Sequence, residues 1–474
     1  MSFINPQQLC FCVPVHCLTS FLPFYSPKII IHGGIMGSTK RAGHAALHAA
    51  VTSRAFFSVY FVAALTITFG LGGCAGTAMN APPVETTQAA ARSPHPVLPF
   101  NDAINAAAEA MFQSFRMDGD DGRTPLPFVI DPLIDGATGA QSKGTSYIQE
   151  RVIELVNTKY SRFKLQPFTG NALDSKPLVL IGTLNTINKA AQMQGRRSSW
   201  WICVVLVDLK SRKVVARGVA LAQLDGVDIT PLDYFRDSPA WTEDDATAVY
   251  VKNCQKSKVG DPVDPKYLKG LFASSLIAQA IEAYDRRQYQ RALDLYRTAA
   301  QTPGGDQFRL YVGLYLTNQK LGDRAAEDEA FRRLVDFGLS HKRLAVKFLF
   351  RPSSTMLTTD QPGSASYDTW LRQIAREASA LDACLEVTGH TTPTGLPPVN
   401  QELSVLRAEY IRDRLDSIDP PLTSHIIANG VGSRQNLIGT GKDDDSDALD
   451  RRVEFKVIQT ACSKTIAPEQ YNVY

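Results

Sequence analysis

The sequence predicts a multidomain α+β protein, and three observations predict it. From residue 100, apolar residues at helical spacing alternate with short apolar stretches of strand type. Between residues 271 and 342 the period is helical throughout, with Ala292 and Ala326 standing 34 residues apart. From residue 343 the order strand, helix, strand, helix, strand, strand predicts a small mixed sheet with two helices on one face. The formal net charge of the 474 residues is only +3, so there is no basic field of the kind that nucleic acid requires.

The N-terminal region, residues 1–73, reads as a signal. Residues 1–35 are apolar and rich in Cys and Pro, and Met36 is taken as the true start, because Lys40, Arg41 and Arg54 then precede the apolar run "AFFSVYFVAALTITFGL". The run ends at Leu71-Gly72-Gly73-Cys74, which resembles a bacterial lipobox. The resemblance implies acylation of Cys74, palmitate included, removal of the signal, and a lipidated flexible linker over residues 74–99; Ala75 implies the outer membrane. An uncleaved membrane span is the alternative, since the run is nearly long enough to cross a bilayer. Four further cysteines follow. Cys384 begins one strand and Cys462 follows another, which pairs those two and, by elimination, Cys203 with Cys254; four buried reduced thiols are the other reading.

Residues 100–225 form the first domain. "FNDAINAAAEAMFQSF" is a helix with Asn101 or Asp102 as cap, "PFVIDPLID" a strand, "TSYIQERVIELVNTKY" an amphipathic helix and "RFKLQPF" a strand. Three longer strands follow, the last two joined as a hairpin by "DLKSRK". This order, with "VIDPLIDGATGAQSKGT" ahead of the helix, resembles the periplasmic α/β sandwich of CsgG-type secretion lipoproteins and LpoB-type activators of penicillin-binding proteins. It implies a protein-binding module. Asp131, Asp135 and Asp208 are the carboxylates available for acid–base chemistry here, against their ordinary use in turns and caps.

Residues 226–270 are rich in Asp, Pro and Lys and are expected to be an irregular connector. Residues 271–342 follow as two helix pairs. Their spacing, with Ala292, Tyr296, Ala299 and Pro303 in one unit and Tyr311, Leu314, Gly322 and Phe331 in the other, resembles tetratricopeptide repeats. The segment serves either as a peptide groove or as a spacer, and two units need a neighbouring domain to pack on.

Residues 343–474 carry the most specific pattern. Gly389-His390-Thr391-Thr392 is followed by Asn400-Gln401-Glu402-Leu403-Ser404-Val405-Leu406-Arg407-Ala408 and by Asp450-Arg451-Arg452-Val453-Glu454. These match the G-H-T-D, N-x-x-L-S-x-x-R-A and N-R-R-V-E pattern of the OmpA C-terminal-like domain, the peptidoglycan-binding module of peptidoglycan-associated lipoprotein and flagellar stator proteins. The resemblance implies a site for the diaminopimelate peptide of the wall built from His390, Thr392, Asn400, Leu403, Arg407 and Arg451. Arginine suits a carboxylate because its planar fork donates two parallel hydrogen bonds. Thr392 replaces the aspartate that would meet the ligand's ammonium, which weakens the expected site.

No GxxxxGK[ST], GxSxG or HExxH arrangement occurs, so the expectation is a protein that is not an enzyme and has no cofactor or metal. Asp443, Asp445, Asp447 and Glu454 have the spacing of calcium-loop ligands, but Ala448 stands where the turn glycine belongs, and a solvated loop is expected instead. The function expected is that of an outer-membrane lipoprotein, facing the periplasm, that links membrane to peptidoglycan and recruits a periplasmic protein. The alternatives are an accessory subunit of an envelope secretion or export assembly, or a regulator of a wall synthase.

Overall fold

The computed structural model describes residues 95–193, 197–351, 354–358, 366–381, 384–442, 445–458 and 462. The signal region, Cys74 and the linker as far as residue 94 lie outside the described residues, as do Asp443 and the side chain of Asp445.

The first module runs β1 (Val97–Leu98), α1 (Phe100–Ser114), β2 (Leu126–Ile130), β3 (Ile134–Asp135), α2 (Lys143–Thr158), β4 (Phe163–Leu165), α3 (Gly170–Asp174), β5 (Leu178–Asn188), β6 (Arg197–Asp208) and β7 (Lys213–Ala222). Its mixed sheet has the order β1-β7-β6-β5-β2-β4, with β3 also on β5. The expected hairpin is β6–β7, and β5 joins it antiparallel, so three long strands whose side chains are largely buried form the centre. The stretch read as one strand, "PFVIDPLID", divides into β2 and β3 at Pro132, which has no N–H to continue the ladder. Helix α2 starts on a capping box in which Ser142 and Thr145 exchange side-chain and backbone hydrogen bonds.

The segment 226–270 is not irregular. It contains α4 (Asp233–Asp237), β8 (Ala240–Trp241), α5 (Asp245–Gln255) and the start of α6 (Pro265–Asp285). Asp244 caps α5 by accepting from Thr247 N at 2.8 Å, and Pro265 opens α6 behind the cap Asp264. The Asp and Pro that suggested a loop are helix starts. The helix pairs then form as α6 with α7 (Tyr289–Ala300), and α8 (Phe308–Leu321) with α9 (Arg324–Ser340). Ala292 is fully buried, but Ala326 sits in the first turn of α9, its N–H given to the cap Asp323, and the buried alanine of that helix is Ala330. Close contact between the pairs comes from Gly313, which lies under the Tyr296 ring.

The last module has the expected order: β9 (Arg343–Val346), α10 (Tyr367–Ser379), β10 (Cys384–Gly389), α11 (Pro397–Ile418), β11 (Ile426–Gly430) and β12 (Val453–Ile458). The strand that opens this segment ends at Val346. The sheet order is β11-β10-β12-β9-β8, so β8, from the supposed connector, supplies one edge. One apolar core runs from Tyr234 of α4 through Leu334 of α9 and Trp370 of α10 to Phe455 of β12. Helices α6–α9 and the second sheet therefore share a core, and residue 343 is not a boundary between cores. Cys384 and Cys462 are disulfide-bonded, with Cα atoms 5.4 Å apart. The pairing of Cys203 with Cys254 is not formed: both are buried thiols, and Cys203 Sγ donates to the Cys254 carbonyl at 2.8 Å.

Helix α11 lies on β10 and β11 at very short range. A Cβ at Gly389 would collide with the Ser404 carbonyl, and one at Gly430 with Val405 N and the Ser404 side chain. These two glycines fix how deep α11 sits. Gly389→Ala is expected to destabilise the protein by about 1–3 kcal/mol through overpacking, read as a lower urea midpoint with unchanged slope.

Candidate functional site

Strand β10 ends at Gly389, and a bend of seven residues leads to Pro397, the first residue of α11. The bend is tied from three sides. Thr391 N donates to Gly432 O and His390 N to Arg452 O, both at 3.0 Å, while Asn436 Nδ2 reaches Thr391 O at 2.8 Å. From α11, Asn400 Nδ2 closes the bend by donating to the carbonyls of Thr392 at 3.2 Å and Thr394 at 3.0 Å. Asn400 is thus a staple of the bend. Thr392 is buried, with 6% exposure, and Leu403 is half-buried on the same helix.

Arg407 is held by the chain itself. Its guanidinium donates Nε to Ser354 O at 3.1 Å and Nη2 to Arg351 O at 3.4 Å, lies 4.8 Å from the Phe350 ring centre, and is 5% exposed. The structure therefore brings His390, Thr392, Asn400, Leu403 and Arg407 to the bend and the first half of α11. Arg451 is half-buried beside β12.

Beneath the bend is a charge cluster that the selected residues only touch. Arg452 is fully buried and donates Nη2 to Glu454 Oε2 at 3.1 Å, to Gln435 O at 3.2 Å, and Nη1 to Leu449 O at 3.3 Å. Arg343 of β9 donates Nε to Glu454 Oε1 at 2.5 Å. Burial would raise the Glu454 carboxyl, but the Arg452 and Arg343 guanidiniums, with His390 at longer range, hold it far below the usual carboxylate range. His390 Nε2 stands 3.4 Å from Glu454 Oε2, too far for a strong hydrogen bond, and burial pushes the imidazole down to about 4, so it is neutral at pH 7. Arg452 and Glu454 are two apart on extended chain and so share a face. That alternation was the available signal for them, against the half-exposed Arg451 between β12 and its loop.

The acidic run before β12 is not a solvated loop. Asp447 and Asp450 are buried: Asp450 accepts from the N–H groups of Leu437 (2.7 Å), Ile438 (3.0 Å) and Gly439 (2.5 Å), and Asp447 from Thr440 N at 2.8 Å and Thr440 Oγ1 at 2.6 Å. They clamp the loop that faces the bend. Of the carboxylates considered for acid–base work, Asp135 accepts from Ala137 N and Thr138 N, and Asp208 from Lys210 N and Ser211 N, each inside a turn. Asp131 is buried and accepts from Tyr267 Oη at 3.0 Å; burial pushes it up to about 6. No cluster of metal-ligating side chains occurs among the described residues.

No family model and no curated protein matches the chain. Among solved structures, it is similar to the cell wall anchor of the T6SS from Pseudomonas aeruginosa, with 22% identity over 25% of this chain and 81% of that one and a TM-score of 0.21. It is similar also to the peptidoglycan-associated lipoprotein from Burkholderia pseudomallei (23% identity, 24% of this chain, 89% of that one, TM-score 0.20). A third is the periplasmic domain of Helicobacter pylori MotB (20% identity, 25% of this chain, 76% of that one, TM-score 0.21).

The buried histidine has a consequence for stability. An unfolded histidine takes up its proton near 6.5 and folded His390 only near 4, so the unfolded chain binds the extra proton between those values. Stability is therefore full above 6.5 and falls as the pH drops through that window, by about 3 kcal/mol at most. As the pH falls through the ordinary carboxylate range a second loss begins, as unfolded Glu454 protonates and the folded one does not. Urea titrations at pH 7 and pH 4.5 should show the first loss, and His390→Gln should remove most of the difference between them; an equal difference in the variant would assign the loss to other groups.

Proposed function

We propose that this protein is a non-enzymatic lipoprotein of the outer membrane that links the membrane to peptidoglycan and recruits a periplasmic protein. The observation that carries this reading is the β-α-β-α-β-β order expected of an OmpA C-terminal-like domain, with Asn400 of α11 closing the His390–Thr392 bend and Arg407 buried in the first half of the same helix. In that reading Arg407 takes a carboxylate of the diaminopimelate peptide. The Ser354 and Arg351 carbonyls and the Phe350 ring orient its fork beforehand, and the incoming carboxylate exchanges with those carbonyls. Thr392 supplies a hydroxyl where a carboxylate would meet the ammonium, so binding is weak by the standard of such sites. The first module and helices α6–α9 offer the surface for a protein partner.

In this reading attachment rests on acylated Cys74, which lies outside the described residues. Metabolic labelling with palmitate should mark the wild-type protein, and Cys74→Ala should give an unlabelled precursor of higher mass. Label that persists in the variant would sink the anchor.

Wall binding is tested by co-sedimentation with purified sacculi. A hydrogen bond to a charged group is worth roughly 1.5–3 kcal/mol, so Arg407→Ala should weaken binding about ten- to a hundredfold, with folding checked by circular dichroism. Thr392→Asp should tighten it. If neither variant changes co-sedimentation, the domain is a scaffold for protein contacts and does not read the wall.

A further inference from the structure

The first and last modules enclose a cleft of about 1050 Å³. One wall is the end of the β5–β6 pair and residues 224–231; the other is the loop 433–442, with Pro393 of the bend at its edge. Neither module has this cleft alone. Its lining is of two kinds. Met193 and Leu224, 40% and 39% exposed, are apolar side chains turned to solvent there, and Ile229, Phe235 and Ile438 continue that surface. Between them stand amide and cationic groups, chiefly Asn185, Arg197 and Lys442.

Apart from the exposed Asp225, the carboxylates around the cleft are already engaged. Glu454 serves Arg343 and Arg452, and Asp233 and Asp237 serve Arg236. Asp135, Asp447 and Asp450 accept from main-chain and threonine groups. Of the acids that line the cleft, Asp225 is exposed and Asp135 is turned into its own turn. Arg197 is the group most affected. It reaches across the junction to donate Nη2 to Leu437 O at 3.1 Å, and its guanidinium lies against Gly439, where a Cβ would stand 3.1 Å from Cζ. Burial pushes it below its ordinary value, with Asp450, Asp135 and Asp447 opposing. A half-buried cation beside an open cleft is stabilised by an anion placed there.

The anion is not a phosphate on a main-chain nest. The nest that this loop forms, the N–H groups of Leu437, Ile438 and Gly439, is filled by the chain's own Asp450. What remains is a cleft whose lining combines cations, amides and exposed apolar side chains, and that combination suits a peptide with acidic and aliphatic side chains. We propose that this cleft binds a short acidic peptide segment of a partner protein, with Arg197 and Lys442 receiving its carboxylates and Met193 and Leu224 its aliphatic groups.

The test is a positional-scanning library of acetylated hexapeptide amides, read by binding to the full chain in detergent. Asp and Glu should be enriched together with Leu, Ile or Val. The best acidic sequence should bind roughly tenfold more weakly to Lys442→Glu, and its all-amide counterpart should be weakened comparably. Arg197→Ala should act in the same direction. Because that side chain is half-buried and bonded to Leu437 O, the exposed Lys442 carries the decision if the Arg197 variant misfolds. Arg407→Ala should leave peptide binding unchanged, which separates this cleft from the wall site. The absence of acid preference, or a preference indifferent to Lys442→Glu, would overturn the proposal. Soluble muropeptides that bind in a Lys442-dependent way, with no acid preference in the library, would overturn it too and give the cleft to the wall.

Discussion

Much of the molecule hangs on one buried carboxylate. Glu454 enters the core of the second sheet on β12 and is met by Arg452 from its own strand entry, by Arg343 from β9, and at longer range by His390 from the bend. Arg343 in turn lies 5.2 Å from the Trp241 ring of β8, and Trp241 Nε1 donates to Thr138 O of the first module at 2.7 Å. A single acid thus joins two strands and the bend and, through one cation and the indole of β8, the first module. Such an arrangement is not a large source of stability, because charges give up water to enter it. Its effect lies in the alternatives: losing one partner leaves a buried charge uncompensated, at about 3–5 kcal/mol. Relative positions that would part these groups are penalised.

The candidate site inherits its geometry from this cluster and from two absent side chains. Gly389 and Gly430 let α11 settle on the sheet, which brings Asn400 under the bend and carries Arg407 to the carbonyls of Arg351 and Ser354. The loop opposite is fixed by Asp447 and Asp450. The polar residues of the bend are therefore mostly structural partners of one another, and ligand recognition has to operate through groups that already have employment in the fold.

The order of elements in the last module was legible in the sequence because its periods are clear and its strands short and separate. The helix pairs were legible for the same reason, although the 34-residue spacing leads to Ala326 and the buried alanine of α9 is Ala330. Residues 226–270 were misjudged because Asp and Pro mark helix starts as well as loops, and a two-residue strand such as Ala240–Trp241 has no period at all. The site residues were found as a set, but their environments were not. Whether Arg407 faces solvent or main-chain carbonyls depends on a segment about fifty residues earlier in sequence, and the burial of Asp447 and Asp450 depends on a loop whose N–H groups converge only once folded. Likewise Cys203 and Cys254 are neighbours whose thiol meets a carbonyl, a detail of orientation that spacing does not encode.

The placement of β8 bears on how such a chain can be taken apart. A strand from the segment between the modules pairs with β9 through Ala240–Val346 and Trp241–Ala345 and closes the edge of the sheet. A fragment that starts at Arg343 would leave that edge bare, with its N–H and C=O groups open to strand addition, and would strip the indole from Arg343. The last module is thus not a cassette that recombination could move intact at its apparent sequence boundary. Its smallest portable unit begins upstream of Trp241, and it takes the intervening helices with it.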